Sequence, residues 1–278
     1  MEEYTNNVDD FLICMSTILK KRRGSVKLVY LGKTKEHEKV NVNKKRRGEH
    51  MRSREEITIM TLDEKMGVIR KCETAFVVDA MNLMGLTHWW VDDVAPLKEG
   101  SMMVGQAFTA RLTRLRKNEP AINAYQLVDQ CPEGKVLIIA NIKETFLIGG
   151  NVVTSASNKG IAGMVIEAKN RDIADIRPLP MPVFSHGVGV KVLPSPIKVS
   201  FEYGMPIEMG GGKIYPDDII MGDDNGVIVI PSEHLDEILY QLEMIVEVEK
   251  EAAAALKENK MDMDEFAKII AKKKNLRK

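Results

Sequence analysis

The sequence has few cysteines, few aromatic residues and no surplus of charge of either sign. Its three cysteines, Cys14, Cys72 and Cys131, are scattered and have the spacing of neither a zinc site nor a disulfide framework. Lysine and arginine number 40 together, as do aspartate and glutamate, so the net charge indicates neither a nucleic-acid partner nor an anionic membrane. These absences favour reduced thiols and a cytoplasmic location.

Long hydrophobic runs are also lacking. The apolar stretch Phe11–Leu19 is interrupted and falls short of the roughly 20 residues that a membrane-spanning helix needs. The opening residues, Met1-Glu2-Glu3, carry negative charge where a secretory signal peptide carries positive charge. We therefore expect a soluble protein, and 278 residues, 44% of them hydrophobic, suffice for a substantial core.

Two basic clusters, Lys20–Arg23 and Lys44–Arg47, set the amino-terminal residues apart from the rest. Clustered lysine and arginine neutralise phosphates, which would suit an RNA-binding arm. The aromatic residues typical of single-strand binders are not interleaved here, so we interpret residues 1–55 as a solvated extension, partly disordered or a small hairpin. An α/β domain is predicted over 56–232, followed by C-terminal helices over 233–278 that pack on the domain or on a neighbouring subunit.

Strand and helix patterns alternate through the middle of the chain. Strands are predicted at Met103–Leu112 and Lys135–Ala140, with a helix at Ala121–Val128 between them. Upstream, Thr61 and Glu64 form a capping box that begins a helix. The alternation of strand, helix and strand predicts an α/β fold with parallel pairing.

Hairpins and a long helix are predicted in the C-terminal third. The alternating runs Ile197–Tyr203 and Met205–Met209 are interpreted as two arms of a hairpin, and Asn225-Gly226 is typical of a two-residue hairpin turn. Ser232 is the predicted N-cap of a helix over about Glu233–Leu256, and a further helix is predicted over Met261–Lys274.

The stretch from Gly149 to Asp175 carries the main functional signal. It opens with Gly149-Gly150, and glycine permits backbone conformations in which N–H groups approach a ligand closely. The small and polar residues from Asn151 to Gly160 suit a helix whose amino end favours an anion. These features predict an anion-binding turn at the start of a helix.

A second part of that stretch adds charged groups to the turn. Met164–Ile166 is continuously apolar, as a strand buried on both faces should be, and residues that follow such a strand lie where α/β sheets bind ligands. Arg171 is a planar cation suited to a carboxylate, and Asp172 is a hard oxygen donor suited to Mg²⁺ or Mn²⁺. Together they predict a site that holds a 2-oxo acid on a metal; the alternative is that they close a surface turn.

The spacing of these residues resembles a family signature. Twenty residues separate Gly150 from Arg171, and Asp172 follows at once, as in the Gly/Asp–twenty residues–Arg-Asp pattern of the RraA-like family. The blocks Pro206–Gly211 and Pro216–Pro231 are similar to the family as well. The resemblance extends from about Thr74 to the C-terminal helices and leaves the amino-terminal extension uncovered.

The resemblance implies a fold and an activity. The fold would be an α/β swivelling β/β/α domain of the RraA-like type with a C-terminal helical extension, assembled as a homotrimer or a dimer of trimers with sites at subunit contacts. The activity would be that of a class II aldolase, which uses Mg²⁺ or Mn²⁺ to cleave a 4-hydroxy-2-oxo acid, or that of an oxaloacetate decarboxylase. Both reactions give pyruvate through an enolate that a divalent metal stabilises.

The resemblance also assigns roles to individual residues. Asp172 would bind the metal, directly or through water, and Arg171 would pair with the substrate's carboxylate or keto oxygen. Backbone amides at Gly149, Gly150 and Asn151 would cradle the carboxylate. Asp175 would not bind the metal itself but would orient a ligand or a metal-bound water.

Two departures from the family pattern stand out. The family's aldolases carry aspartate where this chain has Gly150, and their usual Asp-Gly before the Arg-Asp pair is here Glu167-Ala168, followed by Lys169 and Asn170. Two rival functions therefore remain. One is a non-catalytic regulator that binds a protein partner, and the other is an RNA-binding scaffold that uses the basic arm.

Overall fold

A computed structural model of the chain describes residues 51–86, 89–115, 120–141, 148–190, 198–257, 267–269 and 271–272. Both basic clusters of the predicted extension lie outside the described residues, as does most of the helix predicted over Met261–Lys274. From Ser53 onwards the chain forms one unit.

Besides the helical residues 267–269 and 271–272, the described residues form seven helices, a short 3-10 helix and eleven strands. The helices are α1 (Arg54–Thr58), α2 (Leu62–Ile69), α3 (Thr74–Leu83), α4 (Ala124–Gln130), α5 (Gly150–Asn158), α6 (Ile173–Ile176) and α7 (Leu235–Lys257), and the 3-10 helix is Ser232–His234. The strands are β1 (Trp90–Val91), β2 (Ala95–Pro96), β3 (Met103–Arg114), β4 (Val136–Ala140), β5 (Gly163–Ile166), β6 (Val183–Ser185), β7 (Val199–Tyr203), β8 (Ile207–Met209), β9 (Gly212–Ile214), β10 (Ile219–Asp223) and β11 (Gly226–Ile230).

The main sheet has the strand order β1-β11-β10-β3-β4-β5-β6-β2, and β7 pairs with β3 beside β10. Strands β3, β4, β5 and β6 run parallel to one another, which confirms the predicted parallel α/β layer. The other strands pair antiparallel to their neighbours. The carboxyl ends of β4, β5 and β6 therefore meet at one edge of the sheet.

Both faces of the parallel sheet are covered, as the buried strand β4 shows. Leu137 and Ile139 belong to a core that includes residues of α4 and α5, whereas Val136 and Ile138 belong to a second core with Ile207 and others from β8 and β9. Helices thus lie on one face, and a two-stranded β layer lies on the other. This is the β/β/α layering predicted from the family resemblance.

Helices α1, α2 and α3 lead into the sheet, and two capping boxes explain where the first two begin. The side chains of Ser53 and Thr61 accept hydrogen bonds from the backbone N–H groups of Glu56 and Glu64, whose carboxylates accept from the cap N–H groups in return. The capping box predicted at Thr61 is confirmed.

The predicted hairpin between the runs ending at Tyr203 and Met209 is wrong. Strand β7 pairs with β3, whereas β8 pairs with β9 around a turn at Gly210-Gly211. Alternation identified the strands but could not choose their partners, since pairing depends on packing against neighbours. The second predicted hairpin exists as β10–β11, with its turn one residue earlier than expected, at Asp224-Asn225.

The long helix begins later than expected. Ser232 opens the 3-10 helix instead of capping an α-helix, and α7 starts at Leu235. Helix α7 contacts α1, α2 and α3, and its buried residues recur every three or four positions at Leu235, Ile238, Leu239, Leu242 and Ile245. Among the described residues, no helix is both long and apolar enough to cross a membrane.

Candidate active site

Two loops at the carboxyl edge of the parallel sheet bring most of the predicted site residues together. The loop after β4 ends at Gly149, where α5 begins, and the loop after β5 carries Arg171 and Asp172 into α6. Because β4 and β5 are adjacent and parallel, the amino end of α5 lies beside the second loop. Gly149, Gly150, Arg171, Asp172 and Asp175 are all in this region.

Asp172 caps α5 from another part of the chain. Helix α5 begins at Gly150 with Gly149 as its N-cap, and glycine has no side chain that could accept from the first N–H groups. The Oδ2 atom of Asp172 instead accepts the backbone N–H of Gly150, with 3.0 Å between the two atoms. The predicted anion site at this helix end thus receives a carboxylate from the protein itself.

The backbone of Asp172 explains how its side chain reaches α5. Its φ of 63° and ψ of 41° lie in the left-handed region, which aspartate tolerates better than most residues. Its carbonyl oxygen accepts from the N–H groups of Asp175 and Ile176, at 3.0 and 3.2 Å, and so begins α6. Asp172 therefore contacts the first turns of two helices, one through its side chain and one through its carbonyl group.

Arg171 lies beside Asp172 but is only loosely paired with it. The Nε atom of Arg171 is 3.8 Å from Asp172 Oδ2, and the two side chains are 47% and 44% exposed. An exposed ion pair of this length contributes little to stability. Both side chains remain accessible to an incoming anion or cation.

The glycine pair is required by close approach, not by unusual backbone angles. Gly149 has an extended φ of −115°, and Gly150 is helical, so the expected special backbone conformation is not what makes glycine necessary here. A Cβ atom on Gly149 would lie 2.5 Å from Asp172 Oδ2, and one on Gly150 would lie 3.0 Å from the Cβ of Asp175. The loop with Asp172 and Asp175 can pack this closely because both side chains are missing.

Asp175 and Asn151 occupy different places at this helix end. Asp175 belongs to α6, and its Oδ2 lies 3.2 Å from where a Cβ of Gly150 would be. An aspartate at position 150, as in the family's aldolases, would therefore collide with a carboxylate that is already present. Asn151 is exposed in the first turn of α5.

The residues available for a metal are two carboxylates, Asp172 and Asp175. Among the described residues, no three His, Cys, Asp or Glu side chains are grouped closely enough to hold a metal ion by themselves. Mg²⁺ typically binds one or two carboxylates and fills its other positions with water and substrate oxygens. The donor set at this site therefore fits a hydrated Mg²⁺ or Mn²⁺ and does not fit a fully protein-ligated metal.

Most of the residues that differ from the family pattern before the Arg-Asp pair are buried. Glu167 is 2% exposed, and its Oε2 accepts the backbone N–H of Asn141 at 2.6 Å, which fixes the chain where it leaves β4. Ala168 is buried and accepts the N–H of His186, at the end of β6. Lys169 is exposed. Glu167 therefore stabilises the loops from inside the protein. Among the residues that differ from the family pattern here, Lys169 is the one that changes the charge of the surface.

Asn170 is a buried residue of this site for which no role was predicted from the sequence. It is 0% exposed, its Nδ2 donates to the carbonyl oxygen of Ile148 at 3.1 Å, and its Oδ1 has no hydrogen-bond partner among the described residues. Buried polar atoms without a partner are uncommon and cost stability. A single asparagine before an Arg-Asp pair carries no sequence signal that would have revealed this contact.

Comparisons with known proteins identify a family model and several relatives. A family model described as RraA-like, Aldolase/RraA, matches residues 74–229. A putative 4-hydroxy-4-methyl-2-oxoglutarate aldolase of Halalkalibacterium halodurans is 31% identical over 171 residues, which cover 61% of this chain and 78% of that protein. Protein DlpA of Legionella pneumophila is 30% identical over 182 residues, which cover 64% of this chain but only 29% of DlpA.

A solved structure shows the same fold. Streptomyces coelicolor RraAS2, an unusual member of the RNase ES inhibitor RraA protein family, superposes with a TM-score of 0.56 at 22% identity, covering 63% of this chain and 88% of that one. The family model spans more than half of the sequence and includes the α5 turn, the Arg-Asp pair and the β10–β11 hairpin. The chain therefore belongs to the RraA-like family.

Proposed function

We propose that this protein is a divalent-metal-dependent lyase that releases pyruvate from a small 2-oxo acid. The substrate would be a 4-hydroxy-2-oxo acid cleaved by a retro-aldol reaction, oxaloacetate that loses carbon dioxide, or both. The observation that carries the proposal is the placement of Arg171 and Asp172. Both are accessible, they adjoin each other, and they lie at the amino end of α5 at the sheet edge where α/β folds bind ligands.

Arg171 suits the recognition of the substrate's 1-carboxylate. Its guanidinium presents several N–H donors in a plane, which matches the two oxygens of a carboxylate. With Nε 3.8 Å from Asp172 Oδ2, it can turn towards a substrate without breaking a tight ion pair. The positive end of the α5 dipole would add to the attraction for an anion.

Asp172 would hold the metal while it continues to cap α5. Its Oδ2 accepts the Gly150 N–H, and its carboxylate has a second oxygen for a cation or a cation's water. When bound, a divalent cation would stabilise the negative charge that develops on the keto oxygen as the carbon–carbon bond breaks. The capping hydrogen bond would fix the direction of the carboxylate in advance.

The other predicted residues would shape the pocket. The absence of side chains at Gly149 and Gly150 leaves the loop from Asp172 to Asp175 close to α5. Asp175 would orient a ligand of the metal from beside Gly150, and the exposed Asn151 would lie next to the substrate's carboxylate. In the retro-aldol reaction the substrate hydroxyl loses its proton to a base, and we expect a neighbouring subunit of a cytoplasmic homotrimer to supply that base.

The proposal is tested by measuring pyruvate. Purified protein is incubated with oxaloacetate or 4-hydroxy-4-methyl-2-oxoglutarate in Mg²⁺, Mn²⁺ or EDTA, and pyruvate is followed with a coupled dehydrogenase. We expect metal-dependent release by the wild type, and at least about a 100-fold loss in Asp172→Ala and Arg171→Ala. Asp129→Ala is the control, because it removes an 81% exposed carboxylate on α4 outside the site.

A second candidate is a non-catalytic regulator that binds a protein partner, because the family model's description names RraA beside the aldolase. A folded wild-type oligomer that releases no pyruvate above the metal-only background would favour this candidate. Partner binding should then be insensitive to Asp172→Ala. The RNA-binding scaffold depends on residues outside the described part of the chain, and deletion of residues 1–50 would remove a salt-sensitive RNA affinity if it were correct.

A further inference from the structure

Asn170 connects three loops at the carboxyl edge of the sheet. Its Nδ2 donates to the carbonyl oxygen of Ile148 in the loop after β4, immediately before the N-cap of α5. Its backbone N–H donates to Gly187 and its carbonyl oxygen accepts from Gly189, both in the loop after β6, at 2.8 and 3.0 Å. Asn170 itself belongs to the loop after β5. One buried residue thus joins all three loops.

The side-chain amide of Asn170 is only half satisfied. The residue is fully buried, and its Oδ1 has no hydrogen-bond partner among the described residues. Exchanging the oxygen and nitrogen of the amide would place two acceptors together at Ile148, so the nitrogen is the atom that faces this carbonyl group. An apolar side chain of similar size would avoid this unpaired atom, but it would leave the carbonyl oxygen of Ile148 without the Nδ2 donor.

The nitrogen is therefore the atom of the side-chain amide that makes a hydrogen bond. The Nδ2 contact holds the backbone at Ile148, and Gly149 and Gly150 follow directly. Arg171 and Asp172 follow Asn170 directly in the sequence. The Nδ2 contact therefore lies between two segments, the amino end of α5 and the Arg-Asp pair, that the Gly150–Asp172 hydrogen bond also joins.

We propose that Asn170 is a positioning residue that holds the amino end of α5 against Arg171 and Asp172. It touches neither substrate nor metal and acts through the backbone of Ile148–Gly150. The link to metal affinity rests on the proposed function, whereas the link to the α5 turn does not. Residues that orient a metal ligand in this way typically change affinity or activity by roughly 10–100-fold when replaced.

The test compares two buried amides. Asn170→Leu removes the Nδ2 donor and the unpaired Oδ1. Gln241→Leu is the matched control, because Gln241 lies on α7, is 9% exposed and also has an unpaired amide oxygen among the described residues. Hydrogen exchange of the amides from Gly150 to Val153 is measured by mass spectrometry, and Mn²⁺ binding is measured by electron paramagnetic resonance without substrate.

We expect Asn170→Leu to speed exchange at the start of α5 roughly tenfold and to weaken Mn²⁺ binding, with Gln241→Leu like the wild type in both. Unchanged exchange in a folded Asn170→Leu protein would overturn the inference. If that variant does not fold, Asn170→Ala takes its place under the same criteria. A wild type that binds no Mn²⁺ and releases no pyruvate would count against the proposed function alone, because the exchange comparison still decides the role of Asn170.

Discussion

The carboxylate of Asp172 accepts the backbone N–H of Gly150 at 3.0 Å, although 22 positions separate the two residues in the sequence. The family spacing of a glycine and an Arg-Asp pair therefore corresponds to a direct contact in this fold. It joins the loop after β5 to the first turn of the helix that follows β4. The same carboxylate is the proposed metal ligand. The side chain of Asp172 therefore has a structural role and a proposed metal-binding role.

Asparagine and alanine at position 172 should separate these two roles. Asp172→Ala removes the cap and should lower the free energy of unfolding by about 1 kcal/mol. Asp172→Asn keeps an acceptor for the Gly150 N–H, so we expect it to lose clearly less stability. Both should abolish pyruvate release, because neither has a carboxylate for a cation. Urea unfolding and the pyruvate assay measure the two effects, and equal stability losses would argue against the cap.

Alanine at Gly150 should destabilise the protein even though alanine favours helices. A Cβ there would lie 3.0 Å from the Cβ of Asp175 and 3.1 Å from that of Asp172, which requires a shift costing about 1–3 kcal/mol. Gly67 in α2 is the control, because no atom outside its chain neighbours and its own helix backbone lies within 4 Å of the Cβ that a substitution would add. Gly67→Ala should gain about 0.5–1 kcal/mol from helix propensity.

Opposite signs for the two glycines in thermal or urea unfolding would confirm that packing decides at Gly150. If Gly150→Ala were as stabilising as Gly67→Ala, the close approach of Asp172 and Asp175 to α5 would be wrong.

Glu73 should make stability depend on pH in a direction unusual for a carboxylate. Partial burial, and then the neighbouring charge of Asp223, raise the pKa of Glu73 above its usual 4.5. The uncharged form therefore suits the folded state. The stability that it contributes is complete below pH 4.5 and is lost as the pH rises through the higher folded-state pKa.

We expect Glu73→Gln to stabilise the protein at pH 7 by less than about 1 kcal/mol, since solvent screens a half-buried group. Near pH 4 and below, the difference from the wild type should disappear. Glu64→Gln should behave in the opposite way, because the hydrogen bonds of the capping box lower the pKa of Glu64. Urea unfolding at pH 4 and pH 7 measures both, and a pH-independent gain for Glu73→Gln would refute the interpretation.

Cys131 should resist alkylation in the folded protein. Burial raises the pKa of its thiol to about 12, although Lys159 and Lys135 act in the other direction. The thiolate is the reactive form, so iodoacetamide at pH 8 should modify Cys131 only after denaturation. Peptide mass spectrometry with and without urea measures this. Rapid labelling without urea would contradict the buried position of the thiol in the α4–α5 core.

Continuous apolar runs and alternation were enough to predict the parallel layer. The runs at Lys135–Ala140 and Met164–Ile166 have the composition of strands buried on both faces, and they pair as β4 and β5. Strand partners at the other end could not be predicted from the same signals. The alternation in β7 and β8 is satisfied equally by a mutual hairpin and by the observed pairing with β3 and β9.

The members of the candidate site could be predicted, but not how they contact each other. Gly149 and Gly150 suggested unusual backbone angles. In the structure, the absence of their side chains instead leaves space for Asp172 and Asp175. This packing depends on residues that lie about twenty positions further along the sequence. Local sequence patterns carry no information on contacts across that separation. The role of Asn170 has the same origin, since its partner Ile148 lies in another loop.

The inward position of Glu167 has a consequence for the order in which ligands bind. With that carboxylate 2% exposed, the exposed charges from position 169 to position 175 are Lys169 and Arg171 against Asp172 and Asp175, which cancel. The side-chain charges of this segment alone therefore give a dicarboxylate no net attraction. A divalent cation that arrives first would tip the local potential towards positive, so the cation and the dicarboxylate should associate with the protein in that sequence, each raising the affinity for the other.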